Sequence, residues 1–304
     1  MKTSKNDFNK VVADKVIKLM ETAGSDWVKS WSVPQNMQPT SMSTNKPYNG
    51  INWLVLSLER AARGYSTGEW ATFNQWFVLG GGIKNQKGVT TQKSKYSVEA
   101  GSKATRICLF TTASKENKET GEKEGYTIFK TFNVFNADQI KGYAPKIETP
   151  QIVDQPSTIF DKVAFDVKAT IKNDDLASAY FVPSKDYINL PLATQFDTLE
   201  AYAATGFHEL THWTGHKNRL NRDLKNSFGS KDYAKEELIA ELGAAMLCGS
   251  YGVSAEPRED HAKYLNSWIA RLKEEPKLIA DAAAAANKAC FYLTEASKAL
   301  DLAA

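Results

Sequence analysis

The stretch that decides the fold reads F-H-E-L-T-H-W-T-G-H and occupies residues 207–216. His208 and His212 are four residues apart, so on a helix both imidazoles project from one face and can bind one Zn²⁺. Glu209 follows the first histidine and can accept a proton from a water at the open coordination position. The pattern therefore predicts a zinc-dependent peptidase site in which Glu209 is the catalytic base.

A zinc site of this kind needs a third protein ligand. The segment E-E-L-I-A-E-L-G-A-A at residues 236–245 offers Glu237 and Glu241 one turn apart on a following predicted helix. We predict Glu237 as the ligand and Glu241 as an acceptor that orients a histidine N–H, and the reverse assignment stays open. His216 is another candidate, but Gly215 is expected to end the helix before it.

His261 is the remaining histidine, and it could stabilise the oxyanion of the tetrahedral intermediate by hydrogen bonding. A lone histidine on a helix is more often packed or solvated, so His261 has two possible interpretations, an oxyanion-stabilising residue or a residue without a catalytic role. Tyr264 and Tyr251 are weaker candidates for the same role. The predicted strand at 187–190 could be an edge that pairs with an extended peptide substrate.

The two halves of the chain differ in charge and in aromatic content. Residues 1–150 hold 21 Lys and Arg against 13 Asp and Glu, whereas residues 151–304 hold 17 against 22. Five of the seven tryptophans lie in the first half, and all four histidines lie in the second. A proline-rich stretch without a periodic apolar pattern, 144–157, separates them. We predict an α+β protein of two domains, residues 1–145 and 157–304.

Apolar periodicity predicts the elements of both halves. The predicted helices cover residues 8–22, 51–62, 73–79, 160–171, 198–215 and 232–250, with one or two more over 258–300, and the predicted strands cover 106–112, 126–135, 179–182 and 187–190.

The basic first half predicts an interface for single-stranded nucleic acid, which is bound by aromatic platforms for bases and by Lys and Arg for phosphates. The alternative is that these aromatic residues form a core under a solvated basic surface. The candidate contact residues are Trp27, Trp31, Lys46, Tyr48, Arg63, Trp70, Trp76, Lys84 and Lys87. Trp53, Tyr65, Phe73, Lys29, Arg60, Lys93 and Lys95 belong to the same interleaved set.

The rest of the composition narrows the protein class. No stretch approaches the ~20 apolar residues that span a bilayer, and MKTSKNDFNK has no apolar signal region, so no membrane partner is expected. Three widely spaced cysteines favour a reducing compartment and argue against cysteine zinc ligands. We therefore expect a cytoplasmic protein.

Several blocks in a fixed order resemble the ArdC-type antirestriction proteins of conjugative plasmids and their relatives in polyvalent proteins of phages and mobile elements. In the first half these blocks are W-V-K-S-W (27–31), N-K-P-Y-N-G-I-N (45–52), A-R-G-Y-S (62–66), W-A-T-F-N-Q (70–75) and F-N-V-F-N (132–136). In the second half they are the zinc motif with R-L-N-R (219–222), K-E-E-L-I-A-E-L-G-A (235–244) and H-A-K-Y-L-N-S-W (261–268). The triple glycine at 80–82 departs from the family's usual turn, so individual DNA contacts do not carry over.

The resemblance implies an N-terminal domain that binds single-stranded DNA and a C-terminal zincin-like metallopeptidase domain of the gluzincin type. Such a protein would protect incoming mobile-element DNA in a recipient cell, with Zn²⁺ or another divalent metal such as Mn²⁺ and a protein substrate that the sequence does not name. A similarity to the third-ligand helix of ImmA/IrrE-type peptidases supports Glu237. Two alternatives remain: a DNA-binding protein with a structural zinc site, and a cytosolic regulatory metallopeptidase.

Overall fold

The structure, a computed structural model, describes residues 4–24, 27, 37–116, 123–145, 156–173, 178–224, 231–253 and 261–301. The first half contains α1 (Lys5–Ala23), β1 (Thr40–Ser41), β2 (Lys46–Pro47), α2 (Gly50–Arg63), β3 (Glu69–Thr72), α3 (Phe73–Leu79), β4 (Ile83–Lys84), β5 (Thr90–Gln92), β6 (Ser97–Val98), β7 (Thr105–Glu116), β8 (Lys123–Asn136) and β9 (Ile140–Lys141). The second half contains α4 (Pro156–Asp166), β10 (Ile171–Lys172), β11 (Tyr180–Val182), β12 (Tyr187–Asn189), α5 (Leu199–Thr214), α6 (Lys231–Tyr251), α7 (His261–Glu274) and α8 (Lys277–Asp301). The predicted α+β class is confirmed.

A five-stranded sheet with the order β2-β1-β3-β8-β7 forms the centre of the first half. Its main component is the long antiparallel β7–β8 hairpin, in which Phe110 pairs with Phe129. The side chain of Asn52 on α2 bonds both backbone groups of Cys108 on the outer strand β7, at 2.6 and 2.9 Å. This contact occupies backbone groups at the sheet edge that could otherwise pair with another chain.

In the second half a three-stranded sheet with the order β10-β12-β11 packs beside α5. The strand at 187–190 was predicted as the edge that receives a peptide, and this is wrong, because β12 pairs with β10 on one side and β11 on the other. The outer strand next to α5 is β11, within the part of the chain that the structure describes.

The helix predicted over 160–171 begins and ends earlier in the chain than expected. α4 begins at Pro156 and ends at Asp166, and Lys168 adopts a positive φ of 58° in the turn that follows. Ile171 therefore enters β10, so its apolar character reflects a strand position. Residues 146–155 of the predicted linker lie outside the described ranges.

Buried side chains of the two halves form one continuous cluster. α1 and α2 contribute to it together with α4 through α8. The rings of Trp27 and Trp268 meet edge to face at 5.6 Å between centroids, and Lys273 on α7 bonds Glu21 on α1 at 2.8 Å. The predicted boundaries 1–145 and 157–304 stay a prediction, but the halves share a hydrophobic core.

None of the helices in the described ranges is both long enough and apolar enough to cross a bilayer.

Candidate functional site

α5 carries the histidine motif and is fixed at both of its ends. Its first turn is capped by Thr198, whose hydroxyl accepts a hydrogen bond from the Ala201 N–H at 3.0 Å. α4 crosses close by at Gly206, where a Cβ would lie 2.5 Å from the Phe160 ring. The helix ends at Thr214 with Gly215 as its C-cap, as the sequence predicted. The face of α5 that carries His208 and His212 is turned towards α6.

The donor atoms of three buried or nearly buried side chains converge between α5 and α6. Nε2 of His208 and Nε2 of His212 lie 3.1 Å apart. The carboxylate of Glu237 lies 3.5 Å from the first of these atoms and 3.4 Å from the second. One ligand atom from each of the three residues falls within 4.8 Å of the others. The structure brings the three predicted ligands together.

The second ring nitrogen of each histidine faces a carboxylate. Nδ1 of His208 lies 2.9 Å from Oε1 of Glu241, the residue predicted for this role. Nδ1 of His212 lies 3.2 Å from Oε1 of Glu236, which the sequence reasoning missed. An N–H at Nδ1 that faces a carboxylate leaves the Nε2 lone pair for a metal, so both rings are oriented for ligation.

Arg222 holds Glu236 in place. Its guanidinium bonds the Glu236 carboxylate at 2.7 and 3.0 Å, and it also bonds the Thr211 carbonyl at 2.6 Å and the Thr214 hydroxyl at 2.9 Å. The arginine therefore joins the end of α5 to α6 beside His212. Its signal in the sequence was the R-L-N-R block, to which no role had been assigned.

Arg219, the other arginine of that block, fixes the turn between β11 and β12. Its guanidinium stacks on the Trp213 ring at 3.6 Å and bonds the Asp186 carboxylate. The same carboxylate lies 3.8 Å from Nδ1 of His216. His216 also accepts a hydrogen bond from the Asn218 N–H at 3.3 Å, so it belongs to the turn and stands apart from the three converging donors.

The electrostatics of this region favour a bound positive charge. Burial opposes the charged form of His212, but the carboxylates of Glu237, Glu236 and Glu209 together outweigh it and raise the pKa of His212 to about 10. Burial also opposes ionisation of Glu237, yet the imidazoles of His212 and His208 hold the pKa of that carboxyl well below its usual range. The three carboxylates at residues 236, 237 and 241 are all buried. Unpaired buried carboxylates are costly, and a cation between them offsets that cost.

A cavity of about 290 Å³ opens over these donors. Glu209 lines it together with both histidines, as the predicted base should. Tyr233 and Tyr264 line it as well, with their hydroxyl oxygens 3.4 Å apart, and burial raises the pKa of Tyr233. Residues 179–181, including the start of β11, form part of the wall.

The three candidates for oxyanion stabilisation differ in position. His261 is the first residue of α7, and its side chain lies outside the described part of the structure. Tyr264, one turn further along α7, lines the cavity. Tyr251 stacks on Phe207 at 5.8 Å, which engages its ring with α5. Tyr233 was missed, because a tyrosine early on α6 carries no pattern that sets it apart from a packing residue.

The tryptophans predicted to stack on bases do not fit that role. Trp27, Trp70 and Trp76 are fully buried, so none of them presents a ring face to a nucleobase. Trp27 packs on Trp268, and the indole N–H of Trp76 bonds the Phe135 carbonyl at 3.0 Å. These predictions are corrected, and the alternative of core aromatics holds for all three. Trp31 lies outside the described residues.

The remaining predicted DNA contacts are more accessible. Lys46, Lys84 and Lys87 are exposed, and Tyr48 is partly buried against the core that contains Trp70. Arg63 is exposed at the end of α2, but its guanidinium already contacts the Glu59 carboxylate and the Lys103 carbonyl, each at 2.6 Å. The lysines therefore remain as candidates, and Arg63 is a weaker one.

Comparison with known proteins identifies the family to which this chain belongs. The zincin-like metallopeptidase family model matches residues 159–285, and the model of the N-terminal domain of the anti-restriction factor ArdC matches residues 6–135. The metal-free crystal structure of the antirestriction protein ArdC from plasmid R388 is 34% identical and superposes with a TM-score of 0.78, covering 96% of this chain and 98% of that one. Its Mn(II)-bound form gives a TM-score of 0.76 over the same shares. The chain belongs to the ArdC antirestriction family.

Longer proteins contain a similar region. Two DNA primases TraC of Escherichia coli are each 35% identical to this chain, over 292 and 297 residues, which cover 93% and 95% of it. The matches span 27% and 20% of those primases. The uncharacterized protein y4eC of Sinorhizobium fredii is 29% identical over 296 residues, and the match covers 93% of this chain and 90% of that protein.

Proposed function

We propose that this chain protects incoming mobile-element DNA, holding single-stranded DNA with its N-terminal half and hydrolysing a peptide bond at a divalent metal site in its C-terminal half. The observation that carries the peptidase part is the convergence of His208, His212 and Glu237 in a cavity that Glu209 also lines. The antirestriction role follows from membership of the ArdC family. The alternatives are a structural metal site and a regulatory peptidase, and the experiments below separate them.

The donor set fits a zinc ion. Two imidazole nitrogens and one carboxylate are the ligands of catalytic zinc sites that keep one position open. The Nδ1 atoms face carboxylates, so both Nε2 atoms are available for ligation. Mn²⁺ is the alternative, because the related ArdC of plasmid R388 has a Mn(II)-bound structure. We propose Zn²⁺ held by His208, His212 and Glu237.

A bound Zn²⁺ would lower the pKa of a water towards about 7 and polarise the substrate carbonyl. The Glu209 carboxylate would accept a proton from that water as the water oxygen bonds to the carbonyl carbon, and would deliver the proton to the amine nitrogen as the C–N bond breaks. The phenol groups of Tyr233 and Tyr264 supply O–H donors in the same cavity, where a negative oxygen develops. We assign the oxyanion role to this pair, and His261 stays a prediction.

An extended peptide can reach the cavity along β11. This strand is the outer one of its sheet in the described region, and Tyr180 and Phe181 line the cavity wall. Backbone groups along an outer strand can pair with an extended substrate, a mode that requires no particular side chain on the peptide. This arrangement supports a protein or peptide as the substrate class.

The peptidase proposal is tested with Glu209→Gln in the full chain. Because Glu209 is not a ligand in our assignment, the variant should bind Zn²⁺ as the wild type does and should fail to cleave a quenched peptide library. General acid–base catalysis contributes about 100- to 10,000-fold, so the loss should fall in that range. Wild-type protein that binds Zn²⁺ and leaves the library intact, with or without oligothymidylate, would favour the structural metal site.

The link between proteolysis and DNA protection is a separate question. A restriction-challenge assay in cells that carry wild-type protein or Glu209→Gln answers it. Equal protection by both would assign protection to DNA binding alone. Comparison of the proteomes of the same cells would reveal a substrate that accumulates with the variant, which is the outcome expected of a regulatory peptidase.

A further inference from the structure

The surface formed by residues 73–98 has an unusual composition. Between Glu69 and Glu99 the chain contains no Asp or Glu, and the four charged residues of this stretch are all lysines, at positions 84, 87, 93 and 95. They are all exposed, on the β4–β5 hairpin and on the segment that follows it. The local field is therefore positive, which attracts anionic ligands.

The same surface exposes apolar side chains that a solvated loop would not need. Phe73, Val78, Ile83 and Val89 are each more than half exposed. Apolar side chains clustered on one surface are typical of interaction sites. A ligand for this region must therefore offer both negative charge and apolar faces.

A shallow pocket of about 240 Å³ lies in the middle of this surface. Its aromatic lining comes from Phe73, Trp76, Phe77 and Tyr96, and Lys93 stands at its rim. Typical small-molecule sites measure about 300–1,000 Å³, so this pocket offers room for one ring system of a larger ligand. Because Trp76 is fully buried, the accessible rings are those of Phe73, Phe77 and Tyr96.

Two lysines lie over the Phe77 and Tyr96 rings. Nζ of Lys84 lies 5.1 Å from the centre of the Phe77 ring, and Nζ of Lys95 lies 5.0 Å from the centre of the Tyr96 ring. Gly82 supports this arrangement, because a Cβ there would lie 2.5 Å from the Phe77 ring. The close approach of Gly82 therefore packs the backbone against Phe77, which also lines the pocket.

We propose that the 73–98 surface is the place where this chain holds single-stranded DNA, with Phe73 and Tyr96 as base-stacking platforms and the four lysines as phosphate partners. The inference rests on the proposed DNA-binding function and adds the location that the buried tryptophans had left open. A single strand presents bases and phosphates in alternation. This surface likewise places ammonium groups about 5 Å from aromatic rings, so bases can meet the rings while phosphates meet the lysines.

Single strands fit this surface better than an acidic peptide does. A carboxylate-rich segment would satisfy the lysines, but it would leave the exposed rings against solvent or against charge. The bases of a duplex are stacked inside it, so a shallow ring-lined pocket does not reach their faces. Unpaired bases satisfy both requirements, and stacking on an aromatic side chain is tolerant of sequence.

The test measures binding of a labelled oligothymidylate of about 20 nucleotides to the full chain by fluorescence anisotropy over a salt series. Phe73→Ala should weaken binding by about 5- to 150-fold, the usual cost of losing one base–aromatic stack, and Phe73→Trp should restore it. The control Phe165→Ala removes an exposed phenylalanine of the second half and should bind as the wild type does.

The lysines are tested by the double variant K84A/K87A against K277A/K288A, which removes the same charge from the surface of α8. For single strands each phosphate contact contributes about 0.7 to the slope of log affinity against log salt, so K84A/K87A should lower that slope by about 1.4. The α8 control should leave the slope unchanged. Thermal melting of all variants checks that the fold is intact.

The outcomes separate the location from the function. If the wild type does not bind the oligonucleotide at low salt, the proposed DNA-binding function fails. If the wild type binds and both Phe73→Ala and K84A/K87A bind equally well, only the 73–98 location is overturned. If poly-glutamate of matched charge displaces the oligonucleotide and Phe73→Ala makes no difference, the surface is a general polyanion site and base stacking is refuted.

Discussion

The candidate metal site at His208, His212 and Glu237 and the 73–98 surface hold their charges in opposite ways. At the candidate metal site three carboxylates are buried, and Arg222 holds the Glu236 carboxylate in place. On the 73–98 surface the lysines are exposed, and the groups that Lys84 contacts, the Asn74 side chain at 3.2 Å and the Phe77 ring, are uncharged. A buried site must be preorganised because water cannot screen its charges, whereas an exposed one can adjust to many strands. The first arrangement suits one small cation and the second suits a long flexible anion.

A substitution at Trp27 tests whether this residue belongs to the hydrophobic core or to the DNA-binding surface. It belongs to the basic half by sequence, but it packs on Trp268 in the core that the halves share. Trp27→Ala should therefore lower the free energy of unfolding by about 3–5 kcal/mol, the largest effect expected here. Urea titration measures it.

Phe73→Ala is the matched comparison, since its ring is more than half exposed and its loss should leave unfolding nearly unchanged. A stable Trp27→Ala protein with weak DNA binding would contradict this division and return Trp27 to the DNA interface.

Glu237→Ala tests the assignment of the third ligand. Loss of a partner that only orients a ligand costs about 10- to 100-fold in metal affinity, so loss of a ligand should cost more than about 100-fold. Zinc competition against a chromophoric chelator measures the change. Glu241→Ala, one turn along α6, should fall within the smaller range, because Glu241 faces Nδ1 of His208. The opposite ranking would reverse the roles of the two glutamates.

Arg222→Met tests how much the side chains around the ligands contribute to zinc affinity. The substitution removes the cation that holds the Glu236 carboxylate beside His212, so zinc affinity should fall by about 10- to 100-fold. Arg219→Met is the control from the same R-L-N-R block, because Arg219 contacts Trp213 and Asp186 instead. Equal zinc affinity in Arg222→Met and the wild type would show that His212 keeps its orientation without this arrangement.

The sequence predicted the convergence of the donor residues better than it predicted their surroundings, because the two depend on different distances along the chain. His208 and His212 share one helix face, so their spacing alone brings the imidazoles together. Glu237 could be named as a candidate third ligand because the helical repeat on the following helix leaves two glutamates one turn apart, Glu237 and Glu241. Arg222 and Glu236 are separated by a segment without apolar periodicity. Their contact therefore could not be predicted from the sequence and is known only from the structure.

In the basic first half, prediction from the sequence fails for a different reason. A tryptophan in a basic segment has the same local pattern whether its ring is buried or exposed, and burial depends on packing between distant elements. Trp70 is covered by α2 and β7 side chains, Leu56 and Ile107. Phe73, three residues later, stays outside because it begins α3 at the surface. The three helices and the two long strands of this half were therefore predictable. The short strands β1–β6 and β9, and the inward or outward direction of each ring, were not.

Asp186→Asn gives the smallest expected effect and tests whether the turn beside the metal centre depends on charge. The hydrogen bond from Arg219 lowers the pKa of Asp186, so its ionised form stabilises the folded chain. That contribution is present above the usual aspartate pKa of 3.8 and is lost as the pH falls through the lower folded value. Since the Asp186 side chain is 37% exposed, we expect less than about 1 kcal/mol at neutral pH. Urea midpoints of wild type and variant should differ at neutral pH and converge in acid; a difference that persists in acid would mean that the turn depends on the shape of the side chain.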